Sequence, residues 1–565
     1  MKLNISLSQI LSICALNIIG FVLHFPAKAQ VGYWERNKYT RNDTLLGGLP
    51  FEKTCYDVLH YDLKVRLEPE TKSISGKNKI TFNVLKATNK IQIDLAARLA
   101  INSILCQGKN LKFTREFDAV FVENPAGWPI GKASIIVNYG GKPQEAVKPP
   151  WETGLIWKTD KSGNPYLAVT CEGDGASIWW PCKSHLSDRP DSVRLTIEAP
   201  EMLTVVSNGR LRNTINLPGN YKATTWAVTY PINTFNVTFY AAKYVHFSDK
   251  YQSILDPSQQ LDLNYYVLPE NEAKARIHFE QTKEILSCYE QLLGPYPFWG
   301  DGYQLIESPY LGMEHQSAIA YGNEFKRGYL GKRITPELNF DYIILHESGH
   351  EYFGNSIYVT DYAEMWLNEG FTTYLEYMYV KCHDGAKSAI DYLRMLKALI
   401  ASKEPVLGQM NVNFDRGSTT DKYYKGAWIL HTMGSTFKDE KAWFEFIKKY
   451  YQTFAGQAMM TDKFVRFANE ESGRDWTVFF KQYLTESKIP TLNYSFQETE
   501  NGILFQYFWS NVIPEFSFPI YMTNKSGKKI KLNPTSSRQE MVLLGKLEDG
   551  WQFDQDVLVD FVSLH

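Results

Sequence analysis

The chain reads as a multidomain α+β protein, with a β domain over 30–246, a mainly helical region over 247–489 and a small C-terminal β-sandwich over 490–565. Three observations predict this. Apolar residues alternate with period two from about residue 50 to 245. Helical apolar spacing then dominates to about Leu484, and strand patterning returns after Pro490. The 565 residues also exceed the usual size of one domain and agree with two to four.

The N-terminus reads as a leader. Met1 and Lys2 precede a mainly apolar stretch through about Phe25, and Ala27-Lys28-Ala29 offers a small-x-small cleavage site before Gln30. This predicts a signal peptide over 1–29, cut after Ala29, and a secreted or periplasmic mature chain. An uncleaved anchor is the alternative, disfavoured by Asn17 and His24 inside the apolar run. No other stretch approaches a membrane span, so no stable span is expected after cleavage.

In the β domain, Leu63-Lys64-Val65-Arg66-Leu67 and Ile80-Thr81-Phe82-Asn83-Val84 are clear alternating segments, and Ser134 to Tyr139 and Thr225 to Tyr230 continue the pattern. Gly140-Gly141 and Pro149-Pro150 read as loops. Between Asn271 and Gly294, Ile277, Ile285, Tyr289 and Leu292 form a helical stripe, read as core packing. After Pro490, Ile503 to Trp509, Phe518 to Met522 and Val557 to Val562 read as strands.

Composition is that of an ordinary globular enzyme. The formal charge of −2 becomes −4 once Lys2 and Lys28 leave with the leader, and no basic stripe points to nucleic acid. Aromatics at 14 % suit large packed β surfaces and peptide pockets. The cysteine spacing fits neither a zinc knuckle nor a dense disulfide scaffold; Cys171 and Cys182 are a candidate pair.

Chemistry concentrates in two short segments, His346-Glu347-Ser348-Gly349-His350 and Trp366-Leu367-Asn368-Glu369-Gly370. On a helix, residues four apart share one face, so His346 and His350 point at a single ion. Glu347 is rotated off that direction and reaches a metal-bound water instead. Thr335-Pro336-Glu337 reads as the start of this helix and Gly354 as its stop. A second helix starting near Ala363 or Glu364 carries Glu369 inward. Two imidazoles, a carboxylate ligand and a spare carboxylate are the parts of a hydrolytic zinc site with one position open for water. A bare H-E-x-x-H also arises by chance; the Glu369 segment makes the reading specific.

The surrounding residues resemble the aminopeptidase N and leukotriene hydrolase family of zinc gluzincin peptidases. In that family eighteen residues separate the second His from the ligand Glu, the interval from His350 to Glu369. Gly354-Asn355, Trp366 to Phe371, Leu311-Gly312-Met313-Glu314-His315 and Tyr423-Tyr424-Lys425-Gly426-Ala427 match its further motifs in its order. Leu311 and His315 depart from the first Gly and the Asn of G-x-M-E-N, and Tyr352 stands where many members carry Trp.

The resemblance implies a β-saddle-like N-terminal domain, a thermolysin-like catalytic domain and one zinc ion held by His346, His350 and Glu369. It implies removal of N-terminal residues from peptides with a free N-terminus. Glu347 is then general base and later acid, and Tyr423 the hydrogen-bond donor to the oxyanion, with Tyr424 as the decoy. Glu314 and Glu172 bind the substrate ammonium, and Gly312 and Met313 contact its backbone. Glu376, two helical turns beyond Glu369, is a candidate orienting carboxylate for the metal ligands. His315 reads as structural or pocket wall. The alternatives are a catalytically silent peptide-binding relative, a hydrolase of a non-peptide electrophile such as an epoxide, and an endopeptidase. Side-chain preference and oligomeric state are not legible.

Overall fold

In a computed structural model, the structure describes residues 38–332, 338–414 and 420–564. The expected leader at 1–29 and the Thr335-Pro336-Glu337 segment lie outside the described residues.

The first module is β-rich. An eight-stranded sheet runs in the order Arg210–Leu217, Tyr221–Val228, Ser192–Pro200, Tyr56–Glu68, Ser73–Val84, Gly131–Gly141, Leu99–Cys106 and Lys109–Asn110. Its central strand buries Tyr61, Leu63, Val65 and Leu67 on one face and leaves the intervening residues partly exposed, so the period-two pattern sets the register. It pairs parallel with Ser192–Pro200 and antiparallel with Ser73–Val84. Gly140 and Gly141, expected in a loop, instead close a strand, opposite Ser75 and Ile74. The backbones there approach so closely that a Cβ on Gly140 would lie 2.9 Å from the Ile74 carbonyl.

A four-stranded sheet of Thr204–Ser207, Phe239–Ala242, Pro165–Thr170 and Gly154–Thr159 is mostly buried, with Lys158 and Thr159 exposed at one end. Its strand Pro165–Thr170 ends two residues before Glu172 and so aims that residue at the neighbouring module. All six cysteines of the described residues are free thiols. The candidate Cys171–Cys182 pair is not formed; the Cys171 thiol donates to the Phe235 carbonyl at 3.3 Å instead.

The second module opens with a five-stranded sheet ordered Val245–Gln252, Gln260–Val267, Tyr303–Glu307, Ile319–Tyr321, Gly312–Met313. Gly312–Met313 is therefore an edge strand. The first strand straddles the expected boundary at 246/247. Helices follow, including Glu272–His278 and Gln281–Leu292. Ile285 and Tyr289 are buried as expected, but Ile277 is 78 % exposed, because the two helices break at Phe279 and the stripe does not run through. Beyond Thr485 come a four-stranded sheet around Gly502–Ser510 and a three-stranded sheet around Ile520–Thr523. Phe553 of the second sheet packs on Tyr494 and Phe505 of the first, which makes the expected sandwich.

Glu307 fastens the sheet to the first of these helices. Its carboxylate accepts from the Leu268 peptide N–H at 2.8 Å and the Asn271 amide at 2.7 Å. Burial pushes its pKa up to about 7. A carboxyl raised from about 4.5 binds its proton more tightly folded than unfolded, so stability falls as pH rises from about 4.5 to about 7. The effect is on the order of 3 kcal/mol at full extent. In Glu307→Gln this part of the slope should vanish, measured by urea unfolding across that range; an unchanged slope would exclude the assignment.

Candidate active site

The helix Tyr342–His350 carries the histidines. Asp341 caps it by accepting from the Ile343 and Ile344 peptides, and the helix starts at Tyr342. Asp341 is itself held by His278 Nε2 at 2.7 Å and by the Tyr321 hydroxyl at 2.8 Å. Beyond His350 the chain turns through Gly354, whose φ of 123° and 3.1 Å Cβ approach to His350 Nδ1 exclude a larger residue. Glu369 lies on the helix Trp366–Lys397, after a short 3₁₀ turn at Tyr362–Glu364 and close to the expected start.

The donors of the three predicted ligands converge. His346 Nε2 and His350 Nε2 are 3.1 Å apart, and Glu369 Oε2 is 3.2 Å from the second and 3.7 Å from the first. A tetrahedral zinc with bonds of about 2.0–2.1 Å has ligands about 3.3 Å apart. All three side chains are buried. Each imidazole has its other nitrogen engaged: His346 Nδ1 donates to Glu376 Oε1 at 2.5 Å, and His350 Nδ1 to the Phe353 carbonyl at 3.0 Å. Both Nε2 atoms therefore present lone pairs to one point, beside a carboxylate oxygen that has no hydrogen-bond donor. Three acceptors facing one another in a buried site call for a cation, and nitrogen–nitrogen–oxygen donors suit zinc.

Glu376 is fully buried and its second oxygen accepts from the Tyr392 hydroxyl, which fixes the carboxylate against His346. The His346 ring also stacks on Tyr342, with centroids 5.4 Å apart.

The donor trio opens on a cavity of about 200 Å³. Its walls bring together Glu172, Gly312, Met313, Glu314, Glu347 and Tyr423 with the three metal-ligand candidates. A Cβ on Gly312 would lie 2.5 Å from Glu347 Oε1, so the bare glycine makes room for that carboxylate. Asn355 donates to the Glu314 carbonyl at 2.8 Å, tying the end of the histidine helix to the segment that carries Glu314. Tyr423 precedes the helix Tyr424–Gly434, and its ring lies 6.0 Å from that of His346. Tyr424 lines the same cavity.

Crowding of negative charge is the main electrostatic fact. Burial raises the Glu314 pKa well above the usual carboxylate range, and the neighbouring Glu172, Glu347 and Glu369 add to it. Burial also raises Glu347, opposed by the two imidazoles. Glu369 goes the other way: burial opposes its charge, but the adjoining imidazoles of His346 and His350 and the nearby Lys422 hold it ionised.

His315 lies away from the cavity. It is fully buried, bonded through Nδ1 to the Tyr240 hydroxyl at 2.6 Å, and burial pushes its pKa down to about 3. Tyr352 packs between Tyr289 and Tyr451. Sequence reasoning missed Trp151, Tyr329, Tyr342 and Lys422 on the cavity wall, which no short-range pattern marks.

Comparison with known proteins agrees with this geometry. The pattern described as Peptidase M1 N-terminal domain matches residues 58–235, and that described as Peptidase family M1 domain matches 277–483. Together they cover more than half of the chain. The chain belongs to the M1 peptidase family. Tricorn protease-interacting factor F2 of Thermoplasma acidophilum is 22 % identical over 84 % of this chain and 60 % of its own length. Leukotriene A-4 hydrolase of Xenopus laevis is 22 % identical over 73 % of this chain and 68 % of its own. The chain thus spans roughly two thirds or less of these relatives. Among solved structures, an M1 zinc metallopeptidase from Deinococcus radiodurans superposes with a TM-score of 0.63 at 20 % identity, covering 77 % of this chain and 95 % of that one. The shared fold is that of the M1 family.

Because Glu376 orients His346 and makes its ring a better donor to a metal, its neutral analogue should weaken the centre. Zinc affinity in Glu376→Gln is expected to drop about 10–100-fold in chelator competition. Unchanged affinity would remove Glu376 from the site.

Proposed function

We propose that this chain is a zinc-dependent aminopeptidase that removes residues from the N-termini of peptides. The observation that carries this reading is the placement of Glu314 and Glu172 in one cavity with His346, His350 and Glu369. A lone ammonium relieves the carboxylate crowding there, whereas an acetylated or internal chain brings no charge to offset it. The first peptide bond is then the one that reaches the metal-ligand trio.

Zinc, when bound, supplies a Lewis acid for the scissile carbonyl and a water whose pKa falls toward about 7. The rest is done by the chain. Glu347 takes the proton from the attacking water and delivers it to the leaving amine. Its burial and raised pKa suit a group that must hold and then release a proton. Tyr423 donates its phenolic hydrogen to the developing oxyanion, a contribution of about 10²–10³ in rate. The edge strand Gly312–Met313 offers its peptide groups to an extended substrate, and a peptide lying there runs past Glu347. A leukotriene hydrolase and several aminopeptidases among the relatives share the family; the amine-binding carboxylates favour peptide hydrolysis for this chain.

Localisation follows from the leader-like residues 1–29, which support secretion or a periplasmic site. N-terminal sequencing of the exported protein should begin at Gln30; an intact Met1 or retention in the cytosol would exclude this.

The central test is a panel of matched free and N-acetylated peptides, with and without a chelator. Acetylation should lower kcat/KM by about 10²-fold or more, the loss of a charge-assisted contact of about 3 kcal/mol. Chelation should abolish turnover and zinc should restore it. Equal cleavage of both peptide forms would defeat the exopeptidase assignment, and chelator-resistant cleavage the zinc assignment.

A further inference from the structure

We propose that Lys422 is a positioning residue for the metal: it holds the outer oxygen of Glu369 so that this carboxylate offers one oxygen, Oε2, to the ion. The inference rests on the zinc reading above and concerns a residue that reading does not use.

The two oxygens of Glu369 are divided between two tasks. Oε2 faces the imidazoles, 3.2 Å from His350 Nε2 and 3.7 Å from His346 Nε2, and no protein donor reaches it. Oε1 faces the Lys422 ammonium at 4.0 Å. A carboxylate with a cation on each side is kept from swinging both oxygens onto the ion, which keeps a coordination position open for water and carbonyl.

Lys422 is placed for this by close backbone packing. It precedes the helix Tyr424–Gly434, and Gly426 of that helix meets Gly370, the neighbour of Glu369, with no room for a side chain on either. A Cβ on Gly370 would lie 3.0 Å from the Gly426 Cα and 3.2 Å from the Lys422 carbonyl. The contact fixes the register of Lys422 against Glu369. Lys422 is only 8 % exposed, and its ammonium also lies 5.4 Å from the centre of the Tyr423 ring. A cation this deep in a cleft is held by the anions around it. It offsets part of the negative crowding that Glu314, Glu347 and Glu369 create.

The test compares metal-free wild type, Lys422→Met, Lys422→Gln and Lys422→Arg. Zinc affinity is read by competition with a chromophoric chelator, and the melting of each metal-free form is recorded as a control. The kcat and KM are then measured at saturating zinc on a tripeptide and on its C-terminal amide. Either neutral variant should lose about 10–100-fold in zinc affinity, with metal-free melting unchanged. Lys422→Arg, which keeps the charge, should recover most of it. At saturating zinc the neutral variants should lose kcat while KM shifts equally for the two tripeptides. Zinc affinity within twofold of wild type in a neutral variant would overturn the proposal. So would a KM rise confined to the free-acid tripeptide, because Lys422 would then read the substrate carboxylate. Failure of the wild type to take up zinc would overturn the zinc reading and this inference with it, a result distinct from failure in the variants alone.

Discussion

Everything in this molecule turns on three acceptor atoms brought to one buried point: His346 Nε2, His350 Nε2 and Glu369 Oε2. Left to themselves they repel. A neutral imidazole cannot turn a proton inward without giving up the partner of its other nitrogen, Glu376 for one and the Phe353 carbonyl for the other; only an added proton, opposed at His346 by burial but favoured there by Glu369 and Glu376, can stand in for a cation. A buried carboxylate oxygen with no donor costs about 1–3 kcal/mol or more, since charged groups cost the most. A divalent cation relieves this arrangement without displacing either partner, and in its absence a proton on His346 competes for the same place. Metal binding and local stability are coupled in consequence, as in other sites that are preorganised at the expense of their empty form.

Holding such a point together requires backbones at unusually short range. The helix Trp366–Lys397 meets the helix Tyr424–Gly434 at Gly370 and Gly426, where any Cβ would collide with the opposite main chain. On the other side, Asp341 starts the histidine helix and is gripped by His278 and Tyr321, residues that come from the preceding helix and sheet. Asn355 then passes the constraint on to the segment carrying Glu314, and Asn236 of the N-terminal module reaches Asn355 at 2.5 Å. The histidine helix, the segment carrying Glu314 and the N-terminal module are thus connected by hydrogen bonds and not merely adjacent. A small displacement in any one of these supports carries to the others, which is how positions far from the scissile bond acquire a share in turnover.

Legibility of the sequence followed the range of the interactions. His346 and His350 are four apart on one helix, and Glu376 is seven beyond Glu369 on another, so spacing alone brings each pair onto a face. The β alternation placed Leu63 and Val65 inward for the same reason. What escaped was non-local or backbone-borne. The Phe353 carbonyl on His350 belongs to no side-chain code. Lys422 meets Glu369 only because two glycines let their helices touch. The histidine helix starts at Tyr342 because Asp341 caps it from a carboxylate held by tertiary anchors, which no local pattern marks. Ile277 sits on a helix that ends before the stripe is complete, and Gly140 joins a strand because a partner backbone pulls it in.

Charge gives the proposed preference for the free end of a peptide its physical basis. Glu172, Glu314, Glu347 and Glu369 share walls with a single lysine. With all four ionised, a divalent ion and Lys422 leave one negative charge, and one ammonium cancels it. In the metal-free site the surplus of negative charge favours protonation, which, with burial, is the sense of the raised Glu314 pKa. On the proposed function, amine binding and loss of a proton from Glu314 are linked: a peptide amine enters most favourably where its own charge replaces a proton. A neutral N-terminus makes no such exchange and must strip water from a charged wall for nothing in return. On the proposed function, selectivity for chain ends comes from the electrostatics of the cleft itself, before the shape of any side-chain pocket is consulted.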